Sequence, residues 1–175
     1  MTKTPDAEAG FCRPSEERVL EILDSYGNDP QQLIAALLDI QEASGRNYVD
    51  RRAAELASAR LKVPLTQVYE ILTFYSMFAT EPRGRCVIEL CESAPCHFQE
   101  AERVLSWFEN ALDVKCGETD ADGVFTLSRT SCVGACDGGP AARVGDEVFV
   151  NLTRDKVARL VKSLREDDPA SREGL

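Results

Sequence analysis

A chain of 175 residues with 43% hydrophobic and 29% charged side chains lies in the globular range and is long enough to bury a core, which argues against extended disorder. Twenty Lys and Arg against thirty Asp and Glu leave a formal charge of −10, which excludes the basic surface that nucleic-acid phosphates require. Residues 1–10 are polar without an apolar signal-peptide core, and the longest apolar run, 33–38, is too short to span a bilayer. A cytoplasmic protein with no direct membrane insertion is expected.

Residues 1–14 read as a flexible start, followed by a helical bundle over 15–80. Ser15 can cap a helix whose first turn holds Glu16 and Glu17 and whose apolar side is Val19, Leu20, Ile22, Leu23 and Tyr26. Gly27 and Asn28 end it. Asp29-Pro30 opens a second helix with Leu33, Ile34, Leu37, Leu38 and Ile40 inward, closed by Gly45. Asp50 starts an Ala-rich third helix with Ala53, Ala54, Leu56, Ala57 and Leu61 inward, and Pro64 separates it from a fourth over 65–74. Glu81-Pro82-Arg83-Gly84 marks a linker and a domain boundary.

Beyond the linker the period changes, and residues 85–166 read as a small α/β domain with a flexible tail, 167–175. Residues 86–90 form a short strand, and 99–112 a helix with Ala101, Val104, Leu105, Phe108 and Leu112 on one face. Val114 is expected to begin a second strand and 124–127 a third; 142–144 and 147–151 form a hairpin turned at Gly145-Asp146. Thr153 caps a last helix with Val157, Leu160, Val161 and Leu164 inward. A right-handed crossover makes the first two strands parallel.

Seven cysteines in a chain expected in a reducing compartment read as metal ligands or buried thiols rather than disulfides. Cys91-x4-Cys96 and Cys132-x3-Cys136 are separated by 35 residues, each pair in a loop after an expected strand. Ser93, Ala94, Gly134, Ala135, Gly138 and Gly139 among them let backbone N–H groups approach bridging sulfides. A Rieske centre needs two histidines and the chain has one, His97. A [4Fe-4S] run shows tighter C-x2-C spacing, so a [2Fe-2S] cluster is favoured, with structural zinc on four thiolates still chemically open. No C-x-x-C motif supports a redox dithiol of the thioredoxin kind.

Three segments then carry a family resemblance: Cys91-Glu-Ser-Ala-Pro-Cys96-His97, the stretch 117–127, and Cys132-Val-Gly-Ala-Cys136, preceded by 68–78. The chain resembles the thioredoxin-like [2Fe-2S] subunit of respiratory complex I and the related small subunits of NAD-linked or bifurcating hydrogenases and NAD-dependent formate dehydrogenases. The resemblance implies an α+β fold, a thioredoxin-like [2Fe-2S] ferredoxin domain with a small mixed sheet and flanking helices behind an N-terminal helical bundle. It implies Cys91 and Cys96 on one iron and Cys132 and Cys136 on the other. It further implies an electron-transfer subunit with no complete active site of its own; a place in a peripheral arm at the cytoplasmic membrane face stays open to a chain that does not itself span the membrane. The implied partners are a flavoprotein that carries FMN, binds NAD(H) and holds a [4Fe-4S] cluster, together with further iron–sulfur subunits. No Gly-rich dinucleotide fingerprint assigns nicotinamide or flavin to this chain itself.

The alternative from another class is a zinc-binding structural adaptor of such a complex; a free-standing ferredoxin is disfavoured by the helical N-terminal region. Cys12, Cys86 and Cys116 lie outside the ligand pattern and read as buried or incidental thiols. His97 reads as a neighbour of the centre rather than a ligand, Trp107 and Phe108 as packing, and 74–78 as core with an exposed part.

Overall fold

The computed structural model describes residues 14–166. Cys12, the expected flexible start as far as residue 13, and the tail 167–175 lie outside them. The chain divides into two compact units between Pro82 and Arg83.

The first unit is four helices: α1 (Glu16–Ser25), α2 (Leu33–Ala43), α3 (Arg51–Leu61) and α4 (Leu65–Phe74), with one 3-10 turn, Pro30–Gln32, ahead of α2. The Ser15 hydroxyl accepts from Arg18 N at 3.2 Å and the Asp50 carboxylate from Ala53 N at 2.7 Å, so α1 and α3 each start on a side-chain cap. Gly27 and Asn28 both take left-handed backbone at φ 65° and 55°, which ends α1. α3 lies against α1 and α4, and α1 against α2. Its buried alanines, Ala53, Ala54 and Ala57, let the neighbours approach. In α2 the inward face is Leu33, Ala36, Leu37 and Ile40. Leu38, expected inward, is 37% exposed, because Ala36 takes the place on the face that Leu38 was given.

Two polar side chains close this unit where apolar periodicity has nothing to say. Buried Ser44 donates to Gln41 O at 2.6 Å and accepts from Arg46 N and Tyr48 N, both at 3.2 Å. Gln41 donates to Met77 O at 2.9 Å and accepts from Ala79 N at 3.0 Å, holding the segment after α4. Phe78 is thereby buried, whereas Phe74 is 79% exposed.

The second unit is a four-stranded mixed sheet in the order β2-β1-β3-β4, built from β1 (Cys86–Cys91), β2 (Phe125–Thr130), β3 (Ala142–Val144) and β4 (Glu147–Phe149). β1 and β2 are parallel, in register from Cys86 opposite Phe125 to Cys91 opposite Thr130. β3 is antiparallel to both β1 and β4, and two residues, Gly145-Asp146, turn the hairpin. A short helix, α5 (Ala94–Phe98), with Pro95 in its first turn, occupies what read as loop. α6 (Ala101–Leu112) packs on α7 (Arg154–Glu166) and against β1 and β2. Ile88 and Leu90 of β1 with Phe125 and Leu127 of β2 join Phe108, Leu160 and Val161 in one apolar core. Glu89, alternating with them, pairs with Arg143 at 2.9 Å.

One expected strand is absent from its place. Val114 begins no strand: after Asp113 takes left-handed backbone, the segment folds back on β2 through Gly117 N to Leu127 O, Leu127 N to Glu118 O and a single Thr119–Thr126 bridge. Glycines and aspartates dominate there and favour turns over a ladder, so the strand parallel to β1 is Phe125–Thr130.

Candidate metal centre

The thiols are set by the ends of two adjacent parallel strands. Cys91 is the last residue of β1; its N–H donates to Ala141 O and the next N–H, of Glu92, to Thr130 O, both at 3.0 Å. α5 then turns the chain so that Cys96 is buried beside Cys91. Beyond β2, the loop from Cys132 to Cys136 reverses through Gly134 at φ 85°, a conformation that favours glycine. A 3-10 turn, Cys136–Gly138, follows. A Cβ at Gly138 would stand 2.9 Å from Val150 Cβ, so only glycine lets this turn lie on the residue after β4.

The four sulfurs stand two and two. Cys132 Sγ and Cys136 Sγ are 3.3 Å apart, Cys91 hydrogen-bonds Cys96, and the charges of Cys91 and Cys96 act on Cys136. Cys91 and Cys96 are each 1% exposed, Cys132 is exposed and Cys136 half-buried. Ala101 and Ala141 form a small apolar cluster with the inner pair, and Val133, Ala135 and Val150 pack against it, keeping water from that side.

Within each pair one thiol ionises more readily than the other. Burial pushes Cys91 up, but hydrogen bonds from the Ser93 hydroxyl, the Ser93 and Val133 N–H groups and Cys96 outweigh it and hold the thiol below its ordinary value. Burial, then its hydrogen bond with Cys91, pushes Cys96 up. The Gly134 N–H, 3.4 Å from the sulfur, is the main cause that lowers Cys132, and the bond from Cys136 adds to it. Cys136 is raised by its hydrogen bond with Cys132, by burial and by neighbouring thiolate charge.

Tetrahedral zinc requires four sulfurs about one point, whereas a two-iron cluster takes two thiolates on each iron. The paired donor set fits the cluster.

The remaining candidates fall elsewhere. Cys86 begins β1 and packs on the core, about 16 Å of strand from Cys91 at 3.3 Å per residue. Cys116 packs on the same core, its N–H donating to Glu109 at 3.1 Å. His97 is exposed on α5, edge-to-face with Phe98 at 6.0 Å. Phe108 is fully buried, and half-buried Trp107 lies under the Arg103 guanidinium at 5.5 Å. The polar role of Ser93 is not written in the sequence pattern, where it counts only as a small residue; a hydroxyl midway between two ligands was the available signal.

A thioredoxin-like α/β unit presenting two thiol pairs at the ends of adjacent parallel strands is an iron–sulfur protein of the ferredoxin kind. Residues 19–165 match the model of the thioredoxin-like [2Fe-2S] ferredoxin family, and the chain belongs to that family, whose cofactor is a [2Fe-2S] cluster. It is 31% identical to the E subunit of NADH-quinone oxidoreductase from Rickettsia conorii, over 84% of this chain and 89% of that one. It is 35% identical to the second E subunit of NADH-quinone oxidoreductase from Rhizobium meliloti, over 71% of this chain and 86% of that one. Its fold is shared, at a TM-score of 0.71 and 20% identity, with a chain of the NAD+-reducing [NiFe]-hydrogenase in the air-oxidized state; the match covers 83% of this chain and 25% of that one. No helix among the described residues is long and apolar enough to cross a membrane.

Proposed function

We propose that Cys91, Cys96, Cys132 and Cys136 hold the [2Fe-2S] cluster, the first two on one iron and the last two on the other. On this reading the chain is an electron-carrying subunit of an NAD(P)H-linked oxidoreductase complex. The observation that carries this reading is the two thiol pairs beyond the ends of β1 and β2, Cys91 and Cys96 buried and Cys132 3.3 Å from Cys136. The NADH-quinone oxidoreductase relatives support the complex.

Bound there, the cluster supplies a centre that takes up or returns one electron. The chain's own contribution is structural. The ends of β1 and β2 fix the ligand loops, and the apolar bed of Ala101, Ala141 and Val150 keeps water from the inner pair. The Gly134 N–H donates to Cys132 at 3.4 Å, delocalising thiolate charge at the surface. Hydride chemistry resides on a partner flavoprotein that carries FMN and a [4Fe-4S] cluster and binds NAD(H), with further iron–sulfur subunits beyond it.

Anaerobic purification followed by iron, sulfide and zinc analysis tests the centre. Two irons and two sulfides per chain, with a rhombic S = 1/2 EPR signal that appears on dithionite reduction, are expected. One zinc and no iron, from cells able to assemble clusters, would replace this reading with the zinc-binding adaptor. The partner is tested by adding NADH: reduction of the cluster only when the flavoprotein is present supports the division of labour, and reduction of the isolated chain sinks it.

A further inference from the structure

Ser93 is the residue before α5, a position where a serine ordinarily turns its hydroxyl onto the backbone N–H two or three residues on. That bond is not made here. The hydroxyl oxygen lies 3.1 Å from Cys91 Sγ instead. One half-buried hydroxyl thus lies on a sulfur of the buried pair.

Between two free groups, either the hydroxyl or the thiol is the donor. A metal-bound thiolate has no proton, so in the loaded protein the hydroxyl donates and the sulfur accepts. A hydrogen bond to sulfur withdraws negative charge from it. The reduced centre carries one more negative charge than the oxidised, so the bond is stronger in the reduced state.

We propose that Ser93 is a tuning residue whose hydroxyl, donated to Cys91 Sγ, raises the reduction potential of the bound centre. The inference rests on the ligand assignment above and deepens it. Ser93 binds no iron and is a positioning residue for charge.

The test is an EPR-monitored redox titration of the full chain and its Ser93→Ala, Ser93→Thr and Ser93→Val variants, with iron, sulfide and visible spectrum measured on each. At a fixed poise Ser93→Ala and Ser93→Val are expected to hold about tenfold less reduced over oxidised centre, about 59 mV for one electron. Ser93→Thr, which keeps the hydroxyl in nearly the shape of Val, is expected to titrate with the parent. Parent-like titration of the Ala and Val variants with full cluster content overturns the role. Assembly in the Thr variant but in neither Ala nor Val also overturns it, making the hydroxyl an assembly requirement. A parent chain without iron and sulfide would strike the ligand assignment itself, before any variant is compared, and the inference with it.

Discussion

At the residue scale, a thiol's position in the fold separates ligand from bystander. Cys86, Cys116 and Cys96 are chemically alike, yet Cys86 and Cys116 lie on the apolar core of the sheet while Cys96 faces a second thiol. Replacing Cys96 or Cys132 by Ser is expected to lose or distort the cluster, read as bleaching of the visible spectrum and a lost or altered EPR signal. Cys116→Ser is expected to leave both unchanged, and equal loss in all three variants would overturn the ligand set. The four proposed ligands stood out in the sequence because spacing and neighbouring small residues are one-dimensional signals. Ser93 did not, because in the sequence it reads only as a small residue of a loop, and only the structure shows its hydroxyl on sulfur.

At the scale of elements, regular pieces were legible and irregular ones were not. Ser15, Asp50 and Thr153 announce their helices by side-chain caps that the structure contains, and Gly145-Asp146 announces a two-residue hairpin. Val114 misled because an apolar residue after a helix looks the same whether it starts a strand or covers a core edge, and it is buried without being extended into a ladder. Gln41 and Ser44 order the segments after α4 and α2 through side-chain hydrogen bonds that no periodicity records.

An ion pair ties α6 to the end of β2: Arg129 donates to Glu102 in two bonds of 2.5 and 2.8 Å. The Glu102 carboxyl is held below the usual carboxylate range, first by that hydrogen bond, with burial opposing and the Arg129 charge adding. A carboxyl lowered in the folded state contributes stability above its unfolded pKa and loses it as pH falls through the folded value. Glu102→Gln is therefore expected to lower the Tm near neutrality and to converge on the parent as pH falls below about 4.5, which flattens the acid limb of the profile. The side chain is about half exposed, so solvent screening keeps the effect modest. Superposable profiles would mean the pair adds nothing.

For the whole molecule, each unit has its own apolar core: Leu23, Leu37 and Ile40 in one, Ile88, Phe108 and Leu127 in the other. A group that binds only the folded state stabilises the unit that holds it. Stripping the iron with an anaerobic chelator is expected to lower the melting midpoint of the sheet-containing unit, followed by near-UV signals of Trp107. The midpoint of the helical unit, dominant at 222 nm, is expected to move less. Equal shifts at both wavelengths would show the two melting as one.

The parallel register of β1 and β2, which sets Cys91 opposite Thr130, makes the two cysteine loops neighbours whatever the chain does between them. The site is thus insulated from the length of its own crossover, and insertions and deletions are free to accumulate in the exposed turn around Ala121 and Asp122. Two residues added between Ala121 and Asp122 are expected to leave cluster content intact, and the same two added between Thr130 and Cys132 to abolish it. In evolutionary terms the fold separates a stretch that can drift in length from one that cannot, with the boundary at the end of β2.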